Sequence, residues 1–147
     1  MNIIKDHSGL FTSNKKDWTT PKDLFNELNN KYNFTLDVCA DDNNHLCDKY
    51  FTKENSCLKN TWFGETCFMN PPYGREIGKF IEAAFYHYVN GTKIVMLLPA
   101  RTDTIWFHKY IYNKPYIRIE FLKGRLKFGN SKQNAPFPSM IVKMNLV

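Results

Sequence analysis

The run Lys93-Ile94-Val95-Met96-Leu97-Leu98 is apolar on both sides of an extended chain, since successive side chains of a strand point to opposite faces. Such a strand needs cover above and below, which parallel sheets flanked by helices provide. Thr66 to Met69 predicts a second strand and Thr35 to Ala40 a short buried one. Ile77, Phe80, Ile81, Ala84, Phe85 and Tyr88 recur at helical spacing, and Gly91 ends that helix. Leu24, Phe25, Leu28 and Tyr32 repeat the pattern after Thr20-Pro21-Lys22-Asp23, which has the form of a capping box with proline at the first helical position. Thr104 to Tyr112 predicts a third helix ahead of Pro115. Ile117, Ile119 and Phe121 alternate with Arg118 and Glu120, a strand with one wet face, and Met140 to Leu146 predicts a closing strand.

The expectation is therefore an α/β fold: a mostly parallel sheet, an antiparallel C-terminal strand pair and flanking helices. At 147 residues the chain has room for one core. A single domain is expected over residues 18–147. Residues 1–17 lack periodicity and read as a flexible N-terminal arm. Asp41 to Trp62 is polar and aperiodic, so short irregular elements are expected there.

Composition narrows the function classes. No apolar run is long enough to span a bilayer and the start is too polar for a signal peptide, so no membrane partner and a cytoplasmic location are expected. The net charge of +6 suits a polyanionic partner, and its placement is more telling than its size. Lys123, Arg125, Lys127 and Lys132 crowd one segment that also carries Phe128 and Phe137, a combination that can hold phosphates and stack a base. Cys39, Cys47, Cys57 and Cys67 form no close pair of metal-ligand spacing, so reduced thiols and no metal are expected.

One tetrapeptide carries chemistry. Asn70-Pro71-Pro72-Tyr73 leaves the carboxyl end of a predicted strand, where open α/β sheets place their ligand sites. A proline pair after a strand also serves simply to stop it. The grouping nevertheless suits methyl transfer to a planar conjugated amine. An exocyclic amine such as adenine's is a poor nucleophile because its lone pair is delocalised into the ring. Two acceptors aimed at its N–H groups, the Asn70 side-chain oxygen and the Pro71 carbonyl, would stabilise the charge that develops. Tyr73 offers a flat face for a base taken out of its stack.

The tetrapeptide resembles the Asn-Pro-Pro-Tyr signature of amino-methyltransferases that use S-adenosylmethionine. Four further stretches, Trp18-Thr19-Thr20-Pro21, Thr35 to Ala40, Leu97 to His108 and Gly124 to Phe128, are similar to the small phage-type DNA adenine N-6 methyltransferases (Dam-like). The resemblance covers most of the chain from Trp18 onward. It implies a compact Rossmann-like class I methyltransferase fold, S-adenosylmethionine as cofactor and double-stranded DNA as partner. For a phage-encoded chain, the location is the host cytoplasm.

On that reading Asn70, Pro71, Pro72 and Tyr73 are the catalytic set. Trp18, Thr20, Pro21, Asp37, Cys39 and Ala40 are the cofactor set. Asp37 is expected to meet the methionyl ammonium or the ribose, and Thr20, at a helix N-terminus, the methionyl carboxylate. Arg101, Lys123, Arg125, Lys127 and Phe128 are expected to contact DNA, Phe128 flanking the flipped base, with Asp103 ordering Arg101 or capping the next helix. Two departures stand out. Val38-Cys39-Ala40-Asp41 replaces the usual glycine-rich loop, and the ribose acid is open among Asp41, Asp42 and Glu54. RNA adenine or protein glutamine as acceptor, and an inactive nucleic-acid-binding remnant, are the alternatives. Recognition sequence and oligomeric state are not legible.

Overall fold

A computed structural model of the chain describes residues 18–129 and 132–146. The arm expected over residues 1–17 lies outside the described residues. Five strands form one mixed sheet in the order β1-β2-β3-β5-β4: β1 (Leu36–Asp37), β2 (Thr66–Met69), β3 (Lys93–Pro99), β4 (Ile117–Phe121) and β5 (Ser139–Met144). β1 pairs with β2 and β2 with β3 in parallel, whereas β5 runs antiparallel to both β3 and β4. β1 to β4 thus all run in one direction and β5 alone runs against them, a mostly parallel sheet by strand direction with an antiparallel finish. Two of its four pairings are antiparallel because β5 inserts between β3 and β4.

Strand alternation sorts the core into two layers. Ile94, Met96 and Leu98 of β3 face one side with Met140, Val142 and Met144 of β5. There they meet Ile81, Ala84 and Tyr88 of helix α2 (Ile77–Val89), and Trp106 and Phe107 of helix α3 (Ile105–Tyr110). Val95 and Leu97 face the other side with Phe68 and Ile141. Helix α1 (Lys22–Tyr32) covers that side with Phe25 and Leu28, beside Phe128 and Ala135 from the β4–β5 connection. β3 is buried on both faces from Ile94 to Pro99, as its composition requires.

Several local expectations change on folding. The strand expected from Thr35 to Ala40 shrinks to Leu36–Asp37, because after the Val38 N–H bonds to the Phe68 carbonyl (2.9 Å) the chain turns away from the ladder. The third helix is one turn shorter than its pattern, with Thr104 as its cap: the Thr104 hydroxyl accepts from the Phe107 N–H at 3.3 Å. Asp103 therefore does not cap α3, and among the described residues it forms no ion pair with Arg101. No capping box forms on α1 either. Pro21 itself is the N-cap residue, so Thr20 lies one residue outside the helix. Asp41 to Trp62 is irregular as expected, with a one-residue parallel bridge between Asp37 and Tyr50 and a 3-10 turn at Cys57–Lys59. No described helix is long and apolar enough to cross a membrane.

Candidate active site

A cavity of about 760 Å³ opens at the carboxyl ends of β1 and β2. Its walls bring together residues far apart in sequence: Trp18 and Thr20, Asp37, Cys39 and Ala40, and all of Asn70 to Tyr73. Of the expected cofactor set only Pro21 does not line it, being held at the start of α1.

Asn70 is the best-defined group in this wall. Its side-chain nitrogen donates to the Trp18 carbonyl at 2.8 Å and to the Thr20 hydroxyl at 3.1 Å. A carbonyl can only accept, so the nitrogen must face Trp18 and the oxygen must face away. That oxygen, Oδ1, is buried and has no partner among the described residues. An unpaired buried acceptor is costly in a folded chain, and of the four such side-chain atoms among the described residues only this one belongs to a residue lining the cavity.

Tyr73 packs against both core layers at the sheet's end. Its hydroxyl donates to the Leu97 carbonyl at 3.2 Å. Burial pushes the phenol well above its usual 10.0, so it stays protonated. Phe137 and Phe128 meet the ring edge-on, at 5.6 and 6.2 Å between centroids, and Trp18 contacts both phenylalanines. Phe128 is only 1% exposed. It braces this four-ring cluster, because the alternation of its segment turns it inward.

Asp37 ends β1 and is 3% exposed. Its carboxylate accepts from the Leu46 N–H at 2.9 Å. Burial raises its pKa above the usual 3.8, while backbone N–H groups of Leu46 and Cys39 pull it back. The Cys39 and Cys57 thiols share a hydrogen bond in the same wall, which raises the first and lowers the second. Among the three acids considered for the ribose, Asp41 lines the cavity, whereas Asp42 and Glu54 do not. The Asp42 carboxylate instead accepts from the Tyr50 hydroxyl at 2.9 Å.

Sequence reasoning missed the rest of the wall, including Asn44, Thr52, Lys53, Ser56, Arg75 and Phe80. The Asp37–Tyr50 bridge explains Thr52 and Lys53: they follow a one-residue strand beside β1, too short to show periodicity. The expected DNA contacts stand outside the cavity. Lys123, Arg125 and Lys127 are all exposed, with Leu126 half-buried and Phe128 buried between and behind them. This basic ridge is tied to the cavity wall, as the Gly129 N–H donates to the Thr19 carbonyl at 3.0 Å. Arg101, also exposed, follows β3 and is near enough to Tyr73 to oppose the rise in its phenol pKa.

Comparison with known proteins agrees with this geometry. Residues 7–145 match the family described as DNA N-6-adenine-methyltransferase (Dam). The chain is 36% identical over 93 residues to the DNA N-6-adenine-methyltransferase of Escherichia phage T1, a stretch covering 61% of this chain and 38% of that protein. It is 30% identical over 122 residues to the DNA N-6-adenine-methyltransferase of Haemophilus phage HP1 (strain HP1c1), covering 82% of this chain and 70% of that protein.

Proposed function

This chain belongs to the DNA N-6-adenine-methyltransferase (Dam) family, and on that premise we propose that it methylates the exocyclic amine of adenine in double-stranded DNA, with S-adenosylmethionine as donor. The observation that carries the proposal is the Asn70 carboxamide. Both of its N–H groups are engaged by Trp18 and Thr20, and its buried oxygen is left without a partner. That oxygen is a ready acceptor for one N–H of the target amine, and the Pro71 carbonyl is the second. Together they favour pyramidal nitrogen and the positive charge it gains, in a site where fixed dipoles need no reorganisation. A catalytically dead remnant would have no reason to hold an orphaned acceptor in place.

Tyr73 would carry the extrahelical base. Pinned by the Leu97 carbonyl and braced edge-on by two phenylalanines, its ring loses little freedom when a base lies on it. The cavity suits the cofactor in size, since sites for ligands of this class run to several hundred Å³. Its lining also suits it: Asp37 for an ammonium or a ribose, the small Cys39 and Ala40 for close approach, and Trp18 to shield the Asn70 end. S-adenosylmethionine supplies, when bound, a methyl group activated by a sulfonium charge. The helix-covered sheet, with its site at the carboxyl ends of parallel strands, supports a compact Rossmann-like class I core. Lys123, Arg125 and Lys127, with Arg101, would hold DNA phosphates.

The test is transfer of labelled methyl from S-adenosylmethionine to unmethylated duplex DNA, followed by digestion to nucleosides. Label is expected in N-6-methyladenine. Asn70→Ala should lower the rate at least ~100-fold while changing cofactor affinity less than about threefold. Near-normal methylation by that variant would remove Asn70 from its role. Cofactor binding without label in wild-type reactions would point to a different acceptor.

A further inference from the structure

We propose that Thr20 is a positioning residue for methyl transfer: its hydroxyl, together with the Trp18 carbonyl, locks the Asn70 carboxamide so that Oδ1 is the atom presented to the target amine. The inference rests on the proposed reaction but goes beyond it, because the sequence pattern gives Thr20 only a capping or cofactor role.

The geometry excludes capping. Pro21 takes the N-cap position of α1 with extended backbone, and no side chain caps the helix there. The Thr20 hydroxyl is instead committed to Asn70, 50 residues away, at 3.1 Å. A carboxamide has two ends of nearly equal size and opposite polarity. Turned over, Asn70 would offer N–H groups to an amine that is itself a donor. Trp18 uses one of its N–H groups and Thr20 the other, so both donors are satisfied in a half-buried wall and the amide plane is held at two points. Removing Thr20's oxygen leaves one N–H facing an apolar surface and one anchor for a plane that needs two.

The test uses Thr20→Val and Thr20→Ser in the full chain. Three quantities are read: single-turnover methylation at saturating cofactor, cofactor affinity by calorimetry without DNA, and the side-chain amide ¹⁵N–¹H resonances of Asn70. Thr20→Val should slow the single-turnover rate about tenfold, as expected for a group that orients another. It should change cofactor affinity less than about threefold and shift or broaden the Asn70 amide signals. Thr20→Ser should restore both rate and signals. If Thr20→Val instead weakens cofactor binding tenfold while the saturated rate and the Asn70 signals stay put, Thr20 is a cofactor contact and the inference is overturned. The amide signals separate the two proposals: a wild-type chain that methylates nothing would sink the reaction, yet the Thr20→Val spectrum would still report on the lock.

Discussion

The indole of Trp62 lies flat on the imidazole of His87, with 4.3 Å between centroids and 3° between planes. The Trp62 main-chain N–H donates to His87 Nε2 at 3.1 Å, and His87 Nδ1 donates to the Ala83 carbonyl at 2.8 Å. The ring is therefore neutral, and a proton on Nε2 would meet another donor. Burial holds its pKa below the ordinary 6.5. The unfolded chain then binds a proton that the folded chain refuses, so stability rises with pH and falls as pH drops below about 6.5. Urea midpoints between about pH 7.5 and 5.5 should decline in the wild type and lose much of that slope in His87→Gln, whose amide oxygen can still accept from Trp62. Equal slopes would mean that other groups carry the acid sensitivity.

Tyr73 divides into a ring and a hydroxyl with separate duties. Tyr73→Phe removes only the bond to the Leu97 carbonyl, so methylation should stay within about fivefold of wild type. Tyr73→Ala removes the platform, and stacking of a base on an aromatic is worth ~1–3 kcal/mol. Binding of DNA with an abasic or mismatched partner opposite the target adenine, followed by 2-aminopurine fluorescence at the target, would read this. A Tyr73→Ala variant that still holds the extrahelical base would take the platform role away.

The ridge of Lys123, Arg125 and Lys127 predicts salt dependence. Replacing all three by glutamine should weaken duplex binding and reduce the slope of log affinity against log salt by about 2 to 3, since each neutralised phosphate contributes ~0.9. Cofactor affinity measured without DNA should not move. An unchanged slope would place the DNA on another face.

How much of this was legible in the sequence follows the range of the interactions. Asn70 to Tyr73 falls between β2 and α2, as the neighbouring apolar patterns require, and β3 announces its burial residue by residue. Periodicity is a local signal. The lock on Asn70 spans about 50 residues and the Trp62–His87 pair spans 25, and neither leaves a trace in spacing. Thr20 was misread because a threonine before proline and aspartate looks like a cap until the helix starts one residue late. The burial of Phe128 was not legible either, because alternation along an extended segment turns it inward, behind the cations beside it.

At Asp37 the proposed cofactor contact is set against stability. Its raised pKa means that folding favours the protonated acid, a contribution present below about 3.8 and lost as pH rises through the folded value. Asp37→Asn keeps an oxygen for the Leu46 N–H and carries no charge, so at neutral pH and without ligand it should unfold a few degrees higher than wild type. Cofactor affinity should fall at least about tenfold, as expected when a charge-assisted bond is lost. Calorimetric scans and titrations on the same samples check both halves, and an Asp37→Asn chain that binds cofactor normally would remove Asp37 from the site.

The place of β5 has a consequence for when the protein comes into being. β5 is the last of the five strands along the chain, yet it fills the slot between β3 and β4. Translation delivers residues one after another, at ~5–20 per second, so β3 and β4 leave the ribosome before the strand that joins them exists. Until Ser139 to Met144 emerges, one edge of β3 lacks a partner. The nascent chain is then most exposed to wrong pairing, and β3, whose carboxyl end carries the Leu97 carbonyl under Tyr73, has a neighbour only on its β2 side. The cavity residues, Trp18 to Phe80, all leave the ribosome before β5, so the site's own segments wait on the last strand only for completion of the sheet behind them.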